Sequence, residues 1–282
     1  MRRRRIQNVQ EDVTGMLTKE QIDYFECFGF LHLRQAFSND EVQEIGDAAE
    51  RVFETEVGRL TGEEYGEVDA IVERDPRLTQ LVTDERIHEP VRQLLGDDFL
   101  WSGSEGKRGI PPRLKAHHWH ADRPGNVETA YNRLKIMLYL DSLEKETGAF
   151  RVIPGSHRPG FNESLMSFND DHLDENPRFF GLEGPDVPCH AAETTPGDIV
   201  IFHHSLYHAV YGKRGARRYI AMKFVTPPVR DEQILSLQKY SHYVFHPAEA
   251  FVNSEDERIR RMVSGFDGLA RRLEELTANA AG

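Results

Sequence analysis

The sequence predicts an α+β fold with a mainly β core, built as a barrel or a double-sheet jelly roll between helical ends. Helical periodicity dominates residues 17–98, and a period of two with frequent turn residues replaces it over residues 99–228. Residues 229–282 then become helical again. Because 282 residues show no internal repeat or low-complexity linker, we expect one domain over residues 17–282.

The N-terminal helices are predicted from capping boxes and apolar spacing. Thr18 with Gln21, and Ser38 with Glu41, each fit a capping box, in which side chains satisfy the free amides of the first helical turn. A further helix is predicted over residues 84–95, where a glycine follows the last apolar position.

One long packing helix is predicted near the C-terminus. Ser254 with Glu257 fits a capping box at its start. The positions that follow have the spacing of one buried helical face: Ile259, Met262, Val263, Phe266, Leu269 and Leu273.

Four strands are predicted in the β region, at residues 134–140, 150–153, 199–202 and 219–225. Pairs such as Pro-Gly and Thr-Gly lie between them and are typical of turns. Residues 158–193 form a long polar stretch, which we expect to be a lid or a partly disordered loop.

Composition limits the classes of function. The net charge of −12 argues against a nucleic-acid partner, which requires a dominant basic surface. No apolar run approaches the roughly 20 residues of a membrane span, and Cys27 and Cys189 are too few for a disulfide framework. The arginines near the start are expected to belong to a disordered basic tail over residues 1–16, and the protein is expected to be cytoplasmic.

The first specific chemical signal is the pair His120 and Asp122. Two residues apart on a strand, they point to the same side and can bind one metal ion. Imidazole with carboxylate suits iron(II), manganese or zinc. The motif is weak alone, because exposed polar pairs are common.

A third ligand and a carboxylate-binding residue are needed to strengthen this hypothesis. An apolar strand at 199–202 runs into His203, His204 and His208, any of which can complete two histidines and a carboxylate. After a glycine-containing turn come Arg217 and Arg218, and strand alternation lets only one of them face the metal. An arginine there offers a planar fork for a distal carboxylate.

With these pieces in place, the sequence resembles the phytanoyl-CoA dioxygenase family of 2-oxoglutarate-dependent oxygenases over residues 17–225. Four segments carry the resemblance, and their combination is far more specific than any one motif. They are residues 17–31, Trp-His-Ala-Asp at 119–122, residues 138–157 ending in Pro-Gly-Ser-His, and Pro-Gly-Asp-Ile-Val-Ile-Phe at 196–202 with the histidines and arginines that follow.

The resemblance implies a double-stranded β-helix of the jelly-roll or cupin type. It implies iron(II) held by His120, Asp122 and His208, with Arg217 on the C5 carboxylate of 2-oxoglutarate. It thereby favours His208 over His203 and His204, and Arg217 over its neighbour. The implied activity is that of a dioxygenase, which hydroxylates a small organic substrate with O₂ and 2-oxoglutarate and releases succinate and CO₂.

One departure and several alternatives remain. Val210 stands where many relatives carry a serine that helps to bind the cosubstrate carboxylate. A catalytically inactive metal- or ligand-binding member of the fold, a desaturase and a halogenase are alternatives. Asp122 argues against a halogenase, in which a small residue replaces the carboxylate. The substrate and the oligomeric state are not readable, although Arg113, Arg123 and Arg133 favour an anionic substrate.

Overall fold

The computed structural model describes residues 15–61, 64–109, 116–171, 177–213, 217–240 and 244–280. Within these ranges, the longer helices lie before residue 100 and after residue 225, and most of the strands lie between them. The α-helices are α1 (Lys19–Phe28), α2 (Asn39–Glu56), α3 (Pro76–Thr79), α4 (Glu85–Leu95), α5 (Asn126–Thr129), α6 (Phe161–Ser164), α7 (Met166–Asp171), α8 (Asp231–Tyr240), α9 (Glu249–Val252), α10 (Glu257–Met262) and α11 (Phe266–Ala280). The strands are β1 (Phe30–Leu33), β2 (Gly66–Asp69), β3 (Leu100–Arg108), β4 (His117–His120), β5 (Arg133–Tyr139), β6 (Phe150–Val152), β7 (Arg178–Phe179), β8 (Leu182–Glu183), β9 (His190–Ala192), β10 (Ile199–His203), β11 (His208–Val210) and β12 (Tyr219–Val225).

Two antiparallel sheets form the β core. The larger has six strands in the order β1-β10-β5-β12-β3-β2, and the smaller has four in the order β4-β11-β6-β9. Buried side chains from both sheets form one apolar cluster, so the sheets pack face to face. The opposite face of the six-stranded sheet belongs to a larger cluster that includes the helices from both ends of the chain. The six-stranded sheet is therefore covered on both faces.

Strand β5 shows how this arrangement follows from the sequence. Leu134, Ile136 and Leu138 pack on the helical side, whereas Met137 and Tyr139 face the smaller sheet. Because successive side chains of a strand point to opposite faces, the alternation decides which side chains enter the space between the sheets. Lys135 and Met137, on the inward face of this strand, line the candidate site.

Several local predictions are confirmed. The capping boxes at Thr18 and Ser38 are both present, at the starts of α1 and α2. Asp84 is the N-cap of α4, so that helix begins one residue later than predicted. The four predicted strands correspond to β5, β6, β10 and β12, with ends that differ by at most one residue.

Other predictions need correction. The segment 17–98 is not purely helical, because β1 and β2 join the six-stranded sheet through antiparallel pairing with β10 and β3. The single C-terminal helix is wrong: α10 and α11 are separate, and between them Gly265 takes a left-handed φ of 86°. Asp256, rather than Ser254, caps α10.

The expected loop at 158–193 contains regular structure. Helices α6 and α7 and strands β7 to β9 lie within it. Phe168 and Phe179 pack there against Trp119 and Tyr207 in a third buried cluster. The predicted basic tail, apart from Gly15 and Met16, and residues 172–176 of this segment lie outside the described residues. Within the described ranges, no helix is long and apolar enough to cross a membrane.

Candidate metal centre

Three predicted ligands converge between the sheets. His120 ends β4, Asp122 follows two residues later, and His208 begins β11 directly opposite His120 in the antiparallel pair. Asp122 Oδ1 lies 3.9 Å from His120 Nε2 and 3.8 Å from His208 Nε2. One donor atom from each residue lies within 4.8 Å of the other two. The spacing in the sequence and the strand pairing thus produce one compact donor set.

A backbone carbonyl oxygen orients each of the two imidazole rings. His120 Nδ1 lies 2.6 Å from the carbonyl oxygen of His118, and His208 Nδ1 lies 2.8 Å from that of Leu206. Because a carbonyl can only accept, each Nδ1 carries the hydrogen and each Nε2 keeps its lone pair. Such a contact fixes the tautomer and ring orientation of a metal-binding histidine. Burial lowers the pKa of His208, which also favours the neutral ring.

The donor set fits a divalent transition metal. Bond lengths of about 2.1 Å place neighbouring donors of an octahedral ion about 3 Å apart. The observed separations of 3.8 and 3.9 Å exceed this by less than 1 Å, which small side-chain movements can close. Two imidazoles and one carboxylate are the facial set of non-haem iron(II) oxygenases, and they leave coordination positions open.

Lys135, which no sequence pattern identified as a site residue, contacts the carboxylate of this set. Its Nζ lies 3.4 Å from Asp122 Oδ2 and 2.9 Å from Glu105 Oε1. Burial raises the pKa of Asp122, but the positive charge of Lys135 opposes this effect, and the pKa lies well below its usual range. Asp122 is therefore ionised, as a metal ligand must be.

Glu105 is surrounded by lysine ammonium groups. Lys223 Nζ lies 2.8 Å from its carboxylate, Lys135 Nζ 2.9 Å and Lys107 Nζ 3.9 Å. Burial alone would raise the pKa of Glu105, but these three charges lower it below its usual range. Lys107, on the same strand as Glu105, lines the same cavity as the candidate metal donors.

The two adjacent arginines face different surroundings. Arg217 is 7% exposed, lines the cavity, and donates from Nε to the carbonyl oxygen of Gly148 at 3.1 Å. Its guanidinium carbon lies 4.7 Å from the ring centroid of Tyr219. Arg218 forms an ion pair of 2.8 Å with Asp141, and its side chain is 32% exposed. Strand alternation thus places only Arg217 in the cavity wall.

The two competing histidines lie outside the donor set. His203 Nδ1 accepts a hydrogen bond from the backbone N–H of Ser205 at 3.1 Å. His204 lines the cavity but does not join the three donors. The cavity measures about 230 Å³, and Val210 contributes an apolar part of its wall.

Lys213 gives this region a pH-dependent stability. The side chain is 8% exposed, and burial with the positive charges of Arg217 and Lys107 lowers its pKa to about 7. The unfolded chain keeps this proton up to a pH of about 10.4. Between these values the unfolded state binds more protons, so the contribution of Lys213 to the free energy of unfolding rises with pH.

We therefore expect Lys213→Met to stabilise the protein by up to about 4 kcal/mol at pH 7. The gain should shrink steadily towards pH 10, as the ammonium ion is lost from the unfolded chain as well. Urea unfolding at pH 7, 8.5 and 10 measures this difference. Lys145→Met, at an exposed lysine, is the matched control and should show no such trend. A gain that is constant with pH would contradict the assigned shift.

Solved structures identify the fold. HygX from Streptomyces hygroscopicus, crystallised with nickel and 2-oxoglutarate, matches with a TM-score of 0.60 at 20% identity, over 75% of this chain and 88% of HygX. The non-heme alpha-ketoglutarate-dependent carbocyclase SnoK from nogalamycin biosynthesis matches with a TM-score of 0.56 at 23% identity, over 78% of this chain and 91% of SnoK. The chain thus has the fold of 2-oxoglutarate-dependent oxygenases.

The family follows from the sequence comparison. The phytanoyl-CoA dioxygenase family model matches residues 25–218, more than half of the chain. The chain therefore belongs to the phytanoyl-CoA dioxygenase family, which confirms the predicted resemblance. The ectoine dioxygenase of Sphingopyxis alaskensis is 26% identical over 70% of this chain and 71% of that protein. For the ectoine dioxygenase of Streptomyces avermitilis, also 26% identical, the match spans 52% of this chain and about half, 54%, of that relative.

Proposed function

We propose that this chain is an iron(II)- and 2-oxoglutarate-dependent dioxygenase that hydroxylates a small organic substrate. The observation that carries the proposal is the convergence of His120, Asp122 and His208 on one cavity whose wall also contains Arg217. Membership of the family supports it, as does the use of iron or 2-oxoglutarate in solved structures of the same fold. We also propose that the two facing sheets are the halves of a double-stranded β-helix.

The residues have separate roles in this proposal. His120 and His208 offer Nε2, and Asp122 offers a carboxylate oxygen, to the iron. Bound iron supplies O₂ activation, in which one oxygen atom enters the substrate C–H bond and the other enters the succinate formed as 2-oxoglutarate loses CO₂. Arg217 holds the distal carboxylate of the cosubstrate through its planar fork. Aromatic and apolar side chains of the wall, including Phe150, exclude water from the reacting atoms.

The experiment that tests the proposal has two stages. Metal-free protein is first titrated anaerobically with iron(II), and 2-oxoglutarate is then added. We expect one iron per chain and a visible charge-transfer band. Air is then admitted with ectoine, because curated relatives are ectoine dioxygenases, and with a panel of other small molecules. Succinate formation that rises with one of them is the expected result.

The alternatives predict different outcomes. Stoichiometric zinc binding without a response to 2-oxoglutarate would favour a metal-binding protein that lacks oxygenase activity. A band and succinate formation with an unsaturated product would favour desaturation over hydroxylation. Product mass separates these two oxidations, because hydroxylation adds one oxygen atom and desaturation removes two hydrogens.

A further inference from the structure

His204 lies beside the candidate metal centre and has no role among the donors. Its side chain is 1% exposed and lines the cavity that contains Asp122 and Lys135. Both ring nitrogens are buried, and neither has a hydrogen-bond partner among the described residues. The carbonyl oxygen of His204 accepts from the backbone N–H of Arg123 at 3.0 Å, which fixes the residue next to the turn that carries Asp122.

An unpartnered buried imidazole is costly. A buried donor or acceptor without a partner destabilises the fold, and such groups in native proteins need a specific reason. Burial lowers the pKa of His204 well below its usual range, against the opposing effect of Asp122. The neutral ring has one N–H donor and one acceptor nitrogen. A ligand in the cavity can satisfy the N–H that the protein leaves unpaired.

The charge of the cavity indicates what kind of ligand this is. Among the described residues that line it, two are carboxylates, Glu105 and Asp122, and five are cations: Lys107, Arg123, Lys135, Arg217 and Lys223. Glu67, outside the lining, lies 2.9 Å from Lys107 and offsets that charge. The two positive charges of iron(II) and the two negative charges of 2-oxoglutarate add to zero. The loaded cavity therefore keeps an excess of positive charge, which attracts an anion.

The cations are divided between two ends of the cavity. Arg217 lies against Tyr219, which pairs with Tyr139 of β5. Lys223 pairs with Lys135 and lies four residues further along β12 than Tyr219, which corresponds to a distance of about 13 Å along the strand. Lys135 contacts Asp122, so the Lys135 end is the one that adjoins the metal donors and His204. The Arg217 end is left for the cosubstrate carboxylate.

Of the three arginines that favoured an anionic substrate, not all line the cavity. Arg133 is 1% exposed, lies 3.5 Å from Glu128 and is not among the residues that line the cavity. Arg123 lines the cavity. Arg113 lies outside the described residues.

We propose that His204, with the ammonium groups of Lys135 and Lys223, binds an oxyanion group of the substrate at the end of the cavity away from Arg217. The substrate class is therefore a small polar acid, with a carboxylate or a phosphate. This inference rests on the proposed dioxygenase function and names the substrate class of that site. His204 donates its N–H to one oxygen of the anion, and the lysines supply the compensating charge.

Small anions test the subsite without knowledge of the substrate. Protein loaded anaerobically with iron(II) and 2-oxoglutarate is titrated with acetate, with sulfate in place of a phosphate, and with neutral acetamide. We expect a saturable change in the visible band with acetate or sulfate and none with acetamide. A preference for acetate indicates a carboxylate substrate, and a preference for sulfate indicates a phosphate.

Three variants separate His204 from its surroundings. His204→Phe keeps the ring but removes both nitrogens, and it should weaken anion binding at least tenfold. His204→Gln keeps a donor and an acceptor and should retain most of it. His203→Asn, the matched control, alters the adjacent histidine, whose Nδ1 bonds to Ser205, and should leave anion binding unchanged.

The outcomes distinguish this inference from the proposed function. If the band forms in every variant but anions act equally on His204→Phe and on unsubstituted protein, the anion meets the metal or Arg217 and the His204 subsite is wrong. If anions have no effect on the unsubstituted protein, the substrate class is wrong, although the dioxygenase proposal stands. If the band never forms in unsubstituted protein, the proposed function fails and this inference fails with it.

Discussion

Replacing His208 with alanine is expected to abolish stoichiometric iron(II) binding and the visible band that 2-oxoglutarate adds under anaerobic conditions. The substitution removes one of three donors, and the remaining Nε2 and carboxylate no longer form a facial set. His120→Ala should have the same effect, because the two imidazoles lie on paired strands at equal distances from Asp122, within 0.1 Å. Anaerobic iron titration and absorption spectra measure both losses.

Replacing the carboxylate of Asp122 tests the metal centre independently of the histidines. Asp122→Ala should eliminate substrate oxidation while the protein remains folded, because Lys135 keeps its contact with Glu105. His190→Ala, at an exposed histidine outside the centre, is the control and should bind iron normally. Near-full turnover in Asp122→Ala would mean that this carboxylate is not a ligand, and the centre would have to be sought elsewhere.

The parts of the fold that could be predicted are those encoded by local pattern. Capping residues and apolar spacing define α1 and α2, and alternation with flanking turns defines β5 and β12. The four-residue strands β1 and β2 were not predictable in this way. They lie between helices, and they exist because the distant strands β10 and β3 offer antiparallel partners. Long-range pairing of this kind leaves little trace in a short window of sequence.

In the candidate site, too, some residues could be predicted from local sequence and others depend on long-range strand pairing. His120 and Asp122 could be paired from their spacing, since residues two apart on a strand share a face. His208 could not be chosen over His203 and His204 without the family resemblance. Only the pairing of β11 with β4 brings His208 opposite His120.

Lys135 and Glu105 were missed for a different reason. In sequence, Lys135 reads as an outward polar residue of an alternating strand, and Glu105 gives no local signal. The six-stranded sheet is covered on both faces, so a polar side chain on its second face is enclosed rather than solvated. Two-sided burial is a property of the assembled layers and not of any one segment.

The neighbouring arginines give the sharpest test of the cosubstrate site. Arg217→Ala is expected to raise the Michaelis constant for 2-oxoglutarate while iron binding is retained. The variant removes a charge-assisted contact and leaves a buried carboxylate without its partner, which costs about 2–5 kcal/mol, or about thirty-fold to several thousand-fold in affinity. Arg218→Ala breaks a partly exposed ion pair with Asp141 and should change that constant little.

A 2-oxoglutarate titration of both variants, followed by succinate formation, makes the measurement. The comparison is informative because the substitutions are chemically identical and one residue apart, so a general loss of stability in this strand would affect both. A large effect of Arg218→Ala with a small effect of Arg217→Ala would show that the strand register is displaced by one residue. If neither variant raises the constant, the carboxylate is anchored elsewhere, and the case for 2-oxoglutarate as the cosubstrate weakens with it.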